Sequence, residues 1–176
     1  MSELKLIITG PPGAGKTTAI AAISETPPVR TDTKTTDDLS SVKEETTVAM
    51  DFGEITLDDG QKVFLYGTPG QRRFEFMWKI LVEGGLGLII LVDCSRPEPL
   101  ADLSMYMDNF SEFISKTSVV IGITRNDEPG APPIDSFYDC IETTGRTFPI
   151  LEVDIREADD VALLIDALIS TLEFSH

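Results

Sequence analysis

The sequence contains few cysteines, histidines and basic residues. Its 176 residues include two cysteines, Cys94 and Cys140, one histidine, and 14 lysines and arginines against 30 aspartates and glutamates. Two cysteines without a secretory context do not predict a disulfide framework. The formal net charge of −16 opposes binding to nucleic acid or to anionic membrane surfaces, so we expect neither as a partner.

Long hydrophobic runs and targeting signals are also lacking. The longest apolar run, residues 86–92, is too short to span a bilayer. The first residues carry no signal-peptide pattern, Ser2 excludes N-myristoylation, and the last residues form no prenylation motif. We therefore expect a cytoplasmic protein with no intrinsic membrane anchor, built as one domain over residues 1–176.

What the sequence does contain is an alternation of short apolar strands and amphipathic helices. Strands are predicted at residues 5–9, 48–57, 63–66, 88–92, 118–123 and 148–153, and helices at 16–24, 72–82, 100–115, 134–143 and 161–172. Asp58-Asp59-Gly60 predicts a hairpin turn. Residues 29–45 are rich in threonine, aspartate and serine and are predicted as a long polar loop, either functional or disordered. The pattern predicts an α/β fold, a doubly wound and mostly parallel six-stranded sheet with helices on both faces.

A phosphate-binding motif follows the first strand. Residues 10–17 match G-x-x-x-x-G-K-[ST] between a predicted strand and a predicted helix, which disfavours the alternative of a glycine-rich turn with a chance lysine. Glycines let the loop direct its N–H groups at phosphate oxygens, and the helix N-terminus adds the positive end of its dipole. Lys16 is expected to reach the β- and γ-phosphates, and the Thr17 hydroxyl to bind Mg²⁺. The predicted nucleotide-binding residues here are Gly10, Pro12, Gly13, Ala14, Gly15, Lys16, Thr17 and Thr18.

Two further segments resemble the Ras-like small GTPases. They are Thr47-Val48-Ala49-Met50-Asp51-Phe52, which is similar to the family's switch I, and Gly67-Thr68-Pro69-Gly70-Gln71, which stands in place of its D-x-x-G-Q motif. Both are most similar to the bacterial MglA-like branch, which is associated with roadblock-type regulators. The resemblance implies that Thr47, with Thr46 as the alternate, binds Mg²⁺ and the γ-phosphate. It also implies that the Gly70 N–H senses the γ-phosphate and that Gln71 orients the attacking water. The alternative for both threonines is an ordinary place in a strand.

Position 67 departs from that family. The usual aspartate, which holds Mg²⁺ through water, is replaced by Gly67. The metal ion then depends on Thr17, Thr47, phosphate and water, or on a neighbouring carboxylate such as Asp93 or Asp51. This departure favours one alternative function, a pseudo-GTPase that binds nucleotide as an adaptor with little or no hydrolysis.

Residues 124–127 follow a predicted buried strand and resemble the family's [NT]-K-x-D motif. Asp127 would accept hydrogen bonds from guanine N1–H and the 2-amino group, which adenine lacks, a discrimination on the order of 10⁴ in comparable sites. Arg125 stands where the family has lysine and would lie across the base. The alternative is a capped strand end with solvated charges. Thr124, Arg125 and Asp127 are therefore predicted to bind guanine, together with Asp154, Ile155 and Arg156 in the place of the family's S-A-K.

Together these motifs predict a regulatory switch that binds GTP or GDP with Mg²⁺ and hydrolyses GTP slowly, with Gln71, Lys16 and Thr47 as catalytic residues. The γ-phosphate would order residues 29–47 and 67–82 for a regulatory or effector protein. The resemblance implies a partner of the roadblock/LC7 type. An arginine often assists hydrolysis, and Arg30, Arg72 and Arg73 are the candidates. A less favoured alternative is a P-loop kinase of small molecules, although no arginine-rich lid is evident. Phe74, Phe76, Met77 and Trp78 are predicted to form either core or a partner surface.

Overall fold

The computed structural model describes residues 4–26, 29–37, 44–69 and 75–173, with side chains described outside 29–50, 75 and 173. Strands in this part of the chain are β1 (Leu4–Thr9), β2 (Val29–Asp37), β3 (Glu44–Thr56), β4 (Lys62–Gly67), β5 (Gly87–Asp93), β6 (Ser118–Thr124) and β7 (Ile150–Glu152). Helices are α1 (Lys16–Ile23), α2 (Glu75–Leu81), α3 (Pro99–Asn109), α4 (Ser111–Ile114), α5 (Ile134–Glu142) and α6 (Ala158–Glu173). The predicted α/β class is confirmed.

The described strands form one sheet in the order β2-β3-β4-β1-β5-β6-β7. Neighbours from β4 to β7 pair in parallel, whereas β3 runs antiparallel to both β2 and β4. The chain leaves β1 for strands on one side of it and later returns to β5 on the other side. The carboxyl end of β1 is therefore the topological switch point, where open α/β sheets bind their ligands.

Side chains of the central strands alternate between two buried layers, because successive residues of a strand point to opposite faces. Leu6 and Ile8 join the cluster that contains α1 and α6, whereas Ile7 joins the cluster that contains α3 and α5. β5 and β6 are buried along their whole length, as expected of parallel strands covered on both faces. The two helical layers hold the strand ends in fixed positions at the switch point.

Two predictions about individual elements were wrong. Residues 29–37, predicted as part of a polar loop, form β2 and pair with β3 from Val29↔Phe52 to Asp37↔Glu44, which adds a seventh strand. Threonine is β-branched and favours strands, and this edge position requires no apolar face. The single helix predicted at 100–115 is divided at Phe110, where the Asn109 side-chain amide donates to the Met105 carbonyl at 2.9 Å. Such side-chain bonds to the backbone compete with helix continuation.

Candidate functional site

The loop between β1 and α1 has a backbone that only glycine adopts readily. Gly13 and Gly15 have φ values of +80° and +101°, in the left-handed region where a side chain is disfavoured. Gly15 caps α1, and no side chain of the described residues bonds to the helix start. A Cβ at Gly15 would lie 1.7 Å from Ile155 Cδ1, so glycine also allows this loop to pack against residues 154–156. The first N–H groups of α1 therefore face the switch point, where an anion can accept them.

Lys16 lies folded over this loop. Its Nζ donates to the Gly10 carbonyl at 2.6 Å and to the Pro11 carbonyl at 2.9 Å, and the residue is 7% exposed. Burial lowers the pKa of Lys16 to about 8, although the Asp51 carboxylate opposes the shift and Arg96 adds to it. An ammonium group held by neutral carbonyls in a buried position gains strongly from an anionic ligand.

Thr17 contacts a carboxylate from the neighbouring sheet edge. Its Oγ1 donates to Asp51 Oδ2 at 2.6 Å. Asp51 lies on β3 directly opposite Gly67 on β4. Asp93, the other acid considered from sequence, accepts bonds from Ser95 and Arg125 instead. Of the two candidates, the structure brings only Asp51 to Thr17.

Arg125 connects the segment after β6 to the loop of residues 10–15 between β1 and α1 (the phosphate loop). Its Nη1 donates to Asp93 Oδ2 at 2.6 Å and to the Gly13 carbonyl at 3.1 Å, and lies 3.5 Å from Ser95 Oγ. Arg125 has a positive φ of +54°, and no other non-glycine residue in the described ranges has a positive φ. Burial raises the pKa of Asp93, but the bonds from Ser95 and Arg125 outweigh burial and leave that pKa below its ordinary value.

Residues 154–156 form a tight turn at the carboxyl end of β7. Arg156 pairs with Asp154 at 2.7 Å, and its bonds lower the pKa of Asp154 to about 2. The Asp154 N–H donates to Asp160 Oδ2 at 2.8 Å, and the Arg156 N–H donates to Asp154 Oδ1 at 3.0 Å. Within the described part of the chain, this leaves the Ile155 N–H as the amide of the three that has no acceptor.

These segments enclose one cavity of about 930 Å³, within the size range of small-molecule sites. Eleven of the predicted site residues line it: Gly13, Gly15, Lys16, Thr17, Thr18, Thr124, Arg125, Asp127, Asp154, Ile155 and Arg156. Its lining also includes Asn126, Glu128, Glu152 and Val153, which the sequence analysis did not single out. Their positions directly beside the motif residues were the available signal.

The remaining predicted residues lie elsewhere. Gly10 and Ala14 form the base of the loop, with the Ala14 N–H donating to Pro11 at 3.1 Å, and Pro12 is exposed. The Thr47 backbone lies in β3 opposite Lys34, while its side chain is outside the described set, as is all of Gly70 and Gln71. The roles predicted for these three residues stay predictions.

The donor set at Thr17 fits a magnesium ion. A hydroxyl and a carboxylate oxygen 2.6 Å apart are hard oxygen ligands of the kind that Mg²⁺ prefers, and nucleotide sites commonly supply only one or two such protein groups. No group of three or more histidine, cysteine or acidic residues that could hold a metal was found in the described ranges. Separately, no helix in those ranges is long and apolar enough to cross a membrane.

Comparison with known proteins identifies the family. Residues 8–127 match the model of a family described as conserved hypothetical ATP binding proteins. The chain belongs to this family. The matched range runs from the end of β1 to Asp127, and so includes the phosphate loop, Asp51 and the segment after β6. As a member of this family, the chain is a nucleotide-binding protein.

Three relatives place the family match in a wider group. Uncharacterized protein MJ1339 of Methanocaldococcus jannaschii is 29% identical over 66% of this chain and 72% of its own length. Intraflagellar transport protein 22 of Chlamydomonas reinhardtii is 29% identical over 62% of this chain and 54% of its own. Ras-related protein RabC of Dictyostelium discoideum is 22% identical over 96% of this chain and 83% of its own. These similarities support a small GTPase-like superfamily.

Proposed function

We propose that this chain is a guanine-nucleotide switch protein that binds GTP or GDP with Mg²⁺ and hydrolyses GTP slowly. The observation that carries the proposal is the convergence of three separate segments on one cavity. The phosphate loop, residues 124–127 and residues 154–156 line it together. A triphosphate would lie at the start of α1, and its base would lie between Arg125 and the turn at Ile155.

Asp127 supports guanine as the base. It lines the cavity and is exposed to it, so its carboxylate can accept the N1–H and 2-amino hydrogens of guanine. The Ile155 N–H is the amide of the neighbouring turn that can donate to guanine O6, because the amides on either side of it are already bonded. Adenine offers an amino donor where guanine has O6, and it would leave the carboxylate unpaired.

Hydrolysis would depend on charge stabilisation and on water placement. Lys16 would exchange its bonds to the loop carbonyls for bonds to the β- and γ-phosphates, and Gln71 would orient the attacking water. A bound Mg²⁺ would neutralise charge that develops on the β- and γ-oxygens. Thr47 lies four residues along β3 from Asp51, about 13 Å in an extended strand. The outer part of the β2–β3 hairpin must therefore rearrange before Thr47 reaches the metal ion.

A partner protein would recognise the switch and accelerate hydrolysis. Met77 and Trp78 are buried, whereas Phe76 on the same helix α2 is 55% exposed and Ile80, one turn later, is 61% exposed. These two apolar side chains, close behind Gln71 in the chain, suit a surface that changes with the nucleotide. We propose that the partner is a regulatory protein of the roadblock/LC7 type, because residues 47–52 and 67–71 resemble the MglA-like branch. Such a partner meets the protein in the cytoplasm.

Base preference is the first test. Calorimetry with GDP, GTP, ADP and ATP in Mg²⁺ is expected to show guanine nucleotides binding at least a hundredfold more tightly. Asp127→Asn replaces an acceptor with an amide that can donate to the 2-oxo group of xanthine, so preference is expected to move from guanosine to xanthosine nucleotides. Asp135→Asn, an equal charge change on an exposed part of α5, serves as the control. Equal affinity for adenine and guanine nucleotides would contradict the proposal.

Hydrolysis is tested separately in single turnover. A slow rate that Gln71→Ala lowers further is expected of a switch that a partner accelerates. A fast unassisted rate that Gln71→Ala leaves unchanged would overturn the assigned role of Gln71. Tight GTP binding with no measurable turnover in the wild type would favour the pseudo-GTPase alternative, which the missing acid at Gly67 supports.

A further inference from the structure

We infer that Asp51 supplies, from β3, the metal-binding carboxylate that position 67 of this chain lacks. The inference rests on the proposed function, since the metal ion arrives with a nucleotide.

Asp51 and Gly67 are directly opposite each other in the antiparallel β3–β4 pair. A Cβ at position 67 would lie 3.2 Å from the Asp51 Cβ and 3.2 Å from Ile20 Cδ1, closer than most real Cβ contacts, and 3.5 Å from Asp51 Oδ2, an ordinary contact distance. A side chain on residue 67 would therefore crowd the side chain of Asp51. Gly67 and Asp51 are two parts of one arrangement.

Asp51 also contacts Thr17 directly. A carboxylate can only accept, so the Thr17 hydroxyl hydrogen points at Asp51 Oδ2. The lone pairs of the Thr17 oxygen are then left for a metal ion. Outer carboxylates that orient a ligand in this way commonly contribute 10–100-fold to metal affinity. Asp51 can act by this hydrogen bond and by its own charge.

The negative charge of Asp51 lies at the start of α1. Its Oδ2 is 2.6 Å from the hydroxyl of Thr17, the residue after Lys16, and so lies beside the place that the phosphates would occupy. Without a cation, that charge repels a nucleoside diphosphate. With Mg²⁺ between them, the same charge attracts. Removal of the charge should therefore have opposite effects in the two conditions, which a purely structural hydrogen bond would not produce.

The experiment measures GDP dissociation constants in EDTA and in excess Mg²⁺ for the wild type and for Asp51→Asn. The asparagine retains an oxygen that accepts the Thr17 hydroxyl and loses the charge. We expect tighter GDP binding in EDTA, weaker binding in Mg²⁺, and a ratio of the two constants reduced at least about tenfold. Asp58→Asn, an exposed residue of the hairpin turn, makes the same charge change and is expected to leave the ratio unaltered.

A swap variant moves the carboxylate back to the opposite strand. Asp51→Gly alone should lose the Mg²⁺ dependence, and Asp51→Gly/Gly67→Asp should recover it. The double variant removes the Asp51 Cβ, and the other atom 3.2 Å from the new Cβ is Ile20 Cδ1, the end of a flexible side chain. Thermal melting tests whether each variant is folded. If the swap variant does not fold, the nearly isosteric Asp51→Asn variant still tests the inference.

The outcomes separate this inference from the proposed function. A wild type that binds no guanine nucleotide in either condition contradicts the proposed function. Guanine-nucleotide binding with a Mg²⁺ ratio that Asp51→Asn leaves unchanged overturns the inference alone. A folded swap variant without recovered Mg²⁺ dependence also overturns it.

Discussion

Asp93 and Arg125 form an ion pair of 2.6 Å across the carboxyl ends of two neighbouring parallel strands. The carboxylate is 4% exposed and is held by the Ser95 N–H at 2.9 Å and the Ser95 hydroxyl at 2.6 Å. The same arginine nitrogen also bonds the Gly13 carbonyl of the phosphate loop. A fixed acid on β5 thus sets the distance between the two halves of the proposed nucleotide site.

All described hydrogen bonds of the Arg125 side chain use one nitrogen, Nη1. A lysine ammonium offers three donors at one point, so Arg125→Lys is expected to keep GDP affinity within about threefold, whereas Arg125→Met should lose at least about tenfold. Calorimetric dissociation constants test this. Arg146 is the contrast, because it bonds carbonyls with two nitrogens and lies 5.1 Å from the Phe148 ring centroid. Arg146→Lys should therefore lower the melting temperature more than Arg125→Lys does. A larger loss of melting temperature for Arg125→Lys than for Arg146→Lys would refute this account.

Lys16 should make stability depend on pH. Its pKa is lowered to about 8 in the folded protein from about 10.4 in an unfolded chain. Between these values the unfolded state binds more protons, so folding stability should rise with pH. The expected gain is about 3 kcal/mol between pH 8 and 10.5, and the destabilising effect is fully present below pH 8.

Denaturant unfolding of wild type and Lys16→Met across pH 7–11 measures this contribution. The stability difference between the two should change in favour of the wild type as pH rises. Lys79→Met removes an exposed lysine of α2 and should give a difference that does not vary in this way. A constant difference for Lys16→Met would mean that Lys16 is not buried in the free protein.

Gly15 is expected to tolerate a side chain poorly. Gly15→Ala combines a left-handed backbone with a Cβ placed 1.7 Å from Ile155 Cδ1, and should cost about 3 kcal/mol of unfolding free energy. Gly13→Ala is a matched control, since Gly13 has a similar φ of +80° and no atom within 4 Å of the added Cβ. It should cost about 1 kcal/mol.

Removal of the clashing atom should rescue the Gly15 variant. Ile155→Val lacks Cδ1, so Gly15→Ala/Ile155→Val is expected to be more stable than Gly15→Ala alone in chemical denaturation. Equal losses for the Gly13 and Gly15 variants would show that backbone conformation, and not the contact with Ile155, decides the need for glycine.

Trp78 should report on the segment before Gln71. It is the single tryptophan of the chain, it is 2% exposed, and its Nε1 donates to the Pro69 carbonyl at 2.9 Å. Its ring stacks on Tyr106 and Phe110, each at 5.2 Å between centroids. Exchange of GDP for a non-hydrolysable GTP analogue is expected to change its fluorescence, and an identical spectrum in both states would argue against movement of this segment.

Trp78→Phe keeps the stacking and should lower the free energy of unfolding by about 1 kcal/mol, because the hydrogen bond to the Pro69 carbonyl is lost.

The phosphate loop and the two helical layers were predictable because their signals are local. Residues 10–17 are proposed to bind phosphate through consecutive amides, so residue spacing along the chain defines nearly all of that proposed site. The apolar strands and helices follow from periodicity in the same way. Residues 29–37 were mispredicted because a threonine-rich edge strand needs no apolar face. The amino-acid composition of these residues also does not indicate that they pair with β3.

The pairing of Asp51 with Gly67 lay partly within reach of the sequence. A hairpin that turns around Asp59 places residues eight positions before and after it opposite each other, and these are Asp51 and Gly67. The missing acid at 67 and the acid at 51 could have been linked by that count. The register alone, however, does not show that the Asp51 side chain points toward Thr17.

The sequence by itself determined the loop at the end of β1 that is proposed to bind a nucleotide, because the glycines, the amides and the lysine proposed to bind phosphate are contiguous in the chain. Tertiary structure decided which acids serve that loop. Asp93 reaches Arg125 and Asp51 reaches Thr17 only because distant strands align in the sheet. The direction of a carboxylate depends on the strand face and neighbours of its residue, and these are set when the sheet and helices pack together.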